Sequence, residues 1–136
     1  MKVELMNKLL KVSLLAASVT VAAPSFAGGD INSALANICN IVKTNDKGAL
    51  RNKMKRVETD FGVKLRDVYE GVTCSGESLI RTAMLSEAVD TGTFMIKKMS
   101  RKALNEPEKD GKTLSAWVSE KGLDASPLAA VLKDRI

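Results

Sequence analysis

Apolar positions recur at three- and four-residue spacings along most of the chain, a period that predicts amphipathic helices. After Asp30, a good N-cap, residues Ile31, Leu35, Ile38, Ile41 and Val42 follow at helical spacing. Asn45-Asp46 breaks that helix and can cap a second, in which Leu50, Met54, Val57 and Phe61 share one face and Lys47, Arg51 and Lys55 another. Gly62 is placed to end it. From Val63 to Cys74 the pattern fits either an extended segment or a short helical turn, with Gly71 and Gly76 framing a turn around Cys74. Ser78 opens a third helix through Leu79, Ile80, Ala83 and Met84, expected to end near Asp90, and Thr91-Gly92-Thr93 reads as a break. A fourth helix runs from Phe94 to Ala103, and a polar loop from Asn105 to Gly111 follows. Thr113 caps a fifth helix carrying Leu114, Trp117 and Val118, stopped by Gly122. Ser126-Pro127 opens the sixth, with Leu128, Val131 and Leu132. The expectation is six short helices in three pairs, an all-α fold with no alternating run long enough for a sheet.

The first 27 residues read differently. Lys8 and Lys11 precede an apolar run from Val12 to Ala23, and Pro24-Ser25-Phe26-Ala27 places small residues where a leader peptidase cuts. That run is shorter than the roughly 20 residues a membrane-spanning helix needs. Residues 1–27 are therefore expected to be a cleavable signal peptide, with Met6 as an alternative start, and residues 28–136 a single helical domain. The expected location is the periplasm, or the medium, with no membrane span after cleavage.

Charge and cysteine content narrow the picture further. The whole chain carries +5. The leader holds Lys2, Lys8, Lys11 and Glu4, which leaves 18 basic and 15 acidic residues in the mature chain, a mild +3. That is no footprint for nucleic acid. Cys39 and Cys74 are the only cysteines, and an isolated pair in a small exported domain usually bridges, free thiols or an intermolecular bond being the alternatives.

Three helix pairs call for a search for internal repeats. Gly76-Glu77-Ser78-Leu79 aligns with Gly111-Lys112-Thr113-Leu114, and Ile38 with Ile80 in an earlier copy. The segment from Asn105 to Thr113, with its Asp110-Gly111-Lys112-Thr113 turn, resembles the hairpin between two ankyrin repeats. Both copies lack the Pro and His of the ankyrin Thr-Pro-Leu-His signature, reading Ser78-Leu79-Ile80-Arg81 and Thr113-Leu114-Ser115-Ala116. The resemblance implies a degenerate ankyrin-like solenoid in which a Cys39–Cys74 bond clips the first repeat to the second. Ile38-Cys39-Asn40, the run from Gly71 to Leu79 and Asp110-Gly111-Lys112-Thr113 also resemble a family of small secreted Gram-negative proteins known only as a domain of unknown function. That second resemblance implies a compartment and no activity.

Catalytic chemistry finds little purchase. The chain has no His, which removes the commonest general base and metal ligand. The carboxylates, Glu106 and Glu108 among them, sit between Lys and Arg at positions expected to face solvent. Gly111-Lys112-Thr113 ends like a phosphate loop, but Glu106 stands where the motif needs Gly. No enzymatic activity, cofactor or metal is expected. The leading expectation is a module binding another envelope or periplasmic protein through its hairpins, with Ser75, Glu77, Ser78, Asp110, Lys112 and Thr113 as contacts. The alternative is a binder of anionic lipid or polysaccharide. Its contacts would be Arg51, Lys55, Lys97, Lys98, Arg101 and Lys102, all expected on second helices of their pairs. Met54, Met84, Met95 and Met99 read as core filler in preference to a Met-rich binding surface.

Overall fold

The structure, a computed structural model, describes residues 30–136. The expected signal peptide, residues 1–27, lies outside them. Contacts divide the chain into two units, and in the first the short helix α1 (Ile31–Ala34) is capped by Asp30, whose Oδ1 accepts from Ser33 N at 2.8 Å.

The second unit, residues 35–136, is helical throughout its regular elements. In chain order these are α2 (Ile38–Lys43), α3 (Lys47–Phe61), α4 (Leu65–Val68) with a 3-10 turn (Tyr69–Gly71), and α5 (Leu79–Leu85). Then come α6 (Val89–Lys98), α7 (Arg101–Asn105), α8 (Leu114–Glu120) and α9 (Pro127–Arg135). Helices α2 and α3, α5 and α6, and α8 and α9 pack as pairs. Between pairs, α2 packs on α5, and α6 packs on both α3 and α9. Val42, Leu50, Val57, Leu79, Ile80 and Ile96 are all fully buried in this packing. The four methionines read as core filler, Met54, Met84, Met95 and Met99, are buried too.

The turn inside each pair is built the same way. Asn45, Glu87 and Gly122 all take left-handed φ, at 61°, 54° and 72°. At each, the next N–H reaches back to a carbonyl five residues earlier: Asp46 N to Ile41 O, Ala88 N to Ala83 O, and Leu123 N to Val118 O. This is a Schellman closure, and it satisfies the carbonyls the helix end leaves open. The N-caps expected at Ser78, Thr113 and Ser126 form, each side chain accepting from the N–H three residues on. Asp46 caps α3 in the same way. Asn45 serves a second helix as well: its Oδ1 accepts from Asp90 N (2.7 Å) and Thr91 N (3.1 Å), capping α6 from the neighbouring pair.

Three expectations need correction. The helix from Asp30 is not continuous to Val42; it breaks before α2, where Asn37 takes φ 67°. The third helix ends at Leu85 rather than near Asp90, and α6 runs unbroken through Thr91-Gly92-Thr93. Gly92 is there for packing: a Cβ on it would stand 2.5 Å from Leu128 Cδ1 and 3.2 Å from Ala83 Cβ. Gly92→Val should lower stability by about 1–3 kcal/mol through overpacking, measured by urea denaturation. Finally, the fourth helix stops at Lys98, because Ser100 caps a separate helix, its Oγ accepting from Ala103 N. Arg101 and Lys102 therefore lie on α7 and not on a second helix of a pair.

Cys39 and Cys74 are bonded, with Cα atoms 5.6 Å apart. The bond ties α2 to the hairpin that precedes α5.

Candidate binding cleft

Two hairpins enter α5 and α8. In the first, Cys74 and Glu77 exchange both backbone hydrogen bonds (2.7 and 3.0 Å) around Ser75 and Gly76, whose φ of 54° and 87° suit a two-residue turn of this hand. In the second, Glu108 N donates to Lys112 O (3.0 Å) and Gly111 N to Glu108 O (2.8 Å), with Gly111 at φ 84°. Each places a left-handed glycine two residues before the N-cap of the next helix.

Between these hairpins lies a cleft of about 390 Å³, walled also by the 3-10 turn, α5 and α8. At its base is Arg81, whose side chain is only 6% exposed. Its Nη1 and Nη2 donate to the two oxygens of Asp110 at 2.7 and 3.1 Å, and Nη2 also to Lys112 O at 3.2 Å. Nε lies 2.8 Å from Glu108 Oε1, a charge contact without hydrogen-bond alignment. The guanidinium stacks over Trp117 at 5.1 Å from the ring centroid. Tyr69 completes the cluster: its hydroxyl donates to Glu108 Oε2 (2.7 Å) and is hydrogen-bonded to Ser78 Oγ (2.9 Å).

Local sequence explains why the cation is buried. Leu79, Ile80, Thr82, Ala83 and Met84 are buried on every side of α5, so Arg81 has no solvent-facing stripe to occupy. A buried charge must be paired, and the Asp110-Gly111 turn delivers the partner. Burial works against the Arg81 charge, but the Asp110 hydrogen bond and the Glu108 and Asp110 charges outweigh it, so its pKa rises. Burial, reinforced by the Glu108 charge, pushes the Tyr69 phenol well above its usual range, so it stays a donor.

Asp110 is held well below the usual carboxylate range, first by the Arg81 hydrogen bond and then by the Lys112 N–H. A depressed carboxyl stabilises the fold above the unfolded-state value of about 3.9, and that contribution is lost as pH falls below it. Between about pH 4 and pH 2, the urea midpoint of Asp110→Asn should therefore fall less steeply than that of the parent chain. Parallel curves would contradict the pairing.

The six hairpin residues expected as partner contacts have distinct surroundings. Ser78 and Thr113 spend their hydroxyls on caps, and Asp110 faces Arg81. Lys112 Nζ donates to both oxygens of Glu120, at 2.6 and 2.8 Å. Glu77 stands 3.8 Å from Arg81, and Ser75 is exposed in the turn. All but Ser75 and Thr113 line the cleft. Glu108 corrects an expectation: at 13% exposure it is no solvent-facing carboxylate but part of the cluster. Sequence reasoning passed over Arg81, Tyr69 and Trp117 as site residues. The available signal was an arginine inside an apolar helical run.

Of the basic residues expected to act together, Arg51, Lys55, Lys97 and Lys98 converge on a second groove of about 490 Å³, joined by Lys64 and by Arg66, which also lines the cleft. Arg101 and Lys102 do not line it. Among the described residues, no group of three or more His, Cys, Asp or Glu could hold a metal ion, and no helix is long and apolar enough to cross a membrane.

The profile of a family described as "Protein of unknown function (DUF3718)" matches residues 38–106, which span α2 to α7 and include both cysteines, Tyr69 and Arg81. No curated protein and no solved structure matches the chain. The match takes in half of the chain, and the protein belongs to the DUF3718 family.

Proposed function

We propose that the protein is a non-catalytic binding module of the periplasm that takes a segment of another envelope protein into the cleft between its hairpins. The observation that carries this reading is the cleft itself, recessed between two hairpins and two helices and floored by a cation ion-paired to Asp110 and Glu108. Its lining mixes apolar and polar groups, as sites for extended chains do. The polar groups at its base are committed to one another, which favours a preformed surface over acid–base chemistry.

The architecture fits a degenerate ankyrin-like stack. The turn closure recurs at Asn45, Glu87 and Gly122, the second helices of all three pairs pack in succession, and the first helices of pairs one and two pack on each other, as in a solenoid. In such a stack the cleft falls on the hairpin face. For export, the support is the leader-like pattern of residues 1–27 together with the disulfide, which is compatible with an extracytoplasmic compartment.

The test is cross-linking in living cells with the tagged protein, comparing the parent chain with Thr73→Arg/Lys109→Glu at the cleft mouth. Both residues are exposed, so the fold should tolerate the change. A single protein captured by the parent and lost with the double variant is the expected result. Equal capture by both, or recovery of lipid or polysaccharide alone, would overturn the reading.

A further inference from the structure

We infer that the groove between α3, α4 and α6 is a second docking site, and that its occupant is an acidic polypeptide segment bearing apolar side chains. Six cations rim it: Arg51 and Lys55 one turn apart on α3, Lys64 and Arg66 at the start of α4, and Lys97 and Lys98 at the end of α6. The one carboxylate in the lining is Glu58. Among the described residues, no ion pair neutralises any of the six, in contrast to Arg81 and Lys112 in the cleft. Six unneutralised charges drawn from three separate elements repel one another, and an anionic occupant relieves that repulsion.

The floor decides the class of anion. Met54 and Leu65 at its base are already covered by the fold, whereas Phe94 is half-buried and faces the groove, with Lys98 Nζ 5.5 Å from its ring centroid. An inorganic polyanion would satisfy the rim and leave the accessible part of the Phe94 ring uncovered. A flat anionic bilayer cannot reach a recessed floor. Interfacial membrane binders present protruding apolar side chains, whereas the one exposed large hydrophobic residue among the described residues is Leu85, at 51% and outside the groove. A segment in which carboxylates alternate with apolar side chains covers both parts, ion pairs at the rim and burial at the floor. All six cations lie within the stretch matched by the family profile, whereas the second hairpin and α8, which wall the cleft, lie beyond its end.

The experiment uses the purified, oxidised chain and a fluorescent peptide of alternating glutamate and leucine, read by anisotropy. Comparison probes are an all-glutamate peptide, polyphosphate of equal charge, and phosphatidylglycerol vesicles. The Glu-Leu peptide is expected to bind most tightly, and to weaken at least about tenfold between about 50 and about 500 mM salt. Lys55→Glu/Lys97→Glu should weaken it by a similar factor. Lys43→Glu/Lys133→Glu, the same charge change made outside the groove, should leave it within about twofold. Preference for polyphosphate or vesicles would overturn the acidic-segment assignment. Equal loss in both double variants would overturn the groove as the site. Because none of these substitutions touches the hairpin cleft, the outcome is independent of the reading proposed for that cleft.

Discussion

Arg81→Ala should be the most damaging single substitution outside the apolar core, lowering stability by about 3–5 kcal/mol in urea or guanidinium denaturation. The side chain is 6% exposed, and its removal leaves Glu108, itself 13% exposed, facing a hole with its charge unpaired. It also strips the cation from Trp117 and one of the two donors from Lys112 O, so the second hairpin loses its anchor to α5. Arg81→Lys separates the terms. It keeps a charge but not the fork that grips both oxygens of Asp110, and should lose about half as much. A loss under about 1 kcal/mol for Arg81→Ala would mean that the cluster is solvated and that the cleft is not held by it.

The second large effect belongs to the disulfide. Cys39 and Cys74 are 35 residues apart in sequence, and closing such a loop restricts the unfolded chain enough to stabilise the fold by about 3–4 kcal/mol in the chain-entropy picture. Cys39→Ser/Cys74→Ser, or reduction, should lower the stability measured by urea denaturation by that amount. Reduction should also loosen the first hairpin, because Cys74 supplies both of its cross-strand backbone bonds. Amide exchange should therefore rise first at Cys74 and Glu77. If the hairpin amides stay as protected in the reduced chain as in the oxidised one, the bond stabilises through the unfolded state alone.

Much of this architecture was legible because it is written in local chemistry. Asp46, Ser78, Thr113 and Ser126 were readable as caps because a short polar side chain before an apolar run has one good use. The glycines of both hairpins were readable for a similar reason, since φ above zero is open to them at little expense. Gly92 was misread by the same rule. Its role depends on Leu128, 36 positions away, and no local pattern reports a close helix–helix approach. The turn that does end α5 sits at Glu87, a residue type with no special taste for left-handed backbone, and the bond from Ala88 N to Ala83 O closes over it. The cleft was half legible. Its hairpins were identified, but its centre was not, because Arg81 and Asp110 meet only after the third pair folds back on the second. The convergence of Lys64 and Arg66 with the two expected basic clusters also needed the fold, since α4 was ambiguous between helix and extended chain.

The proposed role of the hairpin cleft as the face that meets a partner is tested most directly by photo-cross-linking from single positions. A photoreactive residue at Thr73 or Lys109, in the cleft, is compared with one at Ala130 or Lys133, on the exposed side of α9. Adducts of one discrete size from the two cleft positions, with none from α9, are the predicted result. Adducts from α9 alone, or equal yields from all four positions, would contradict it.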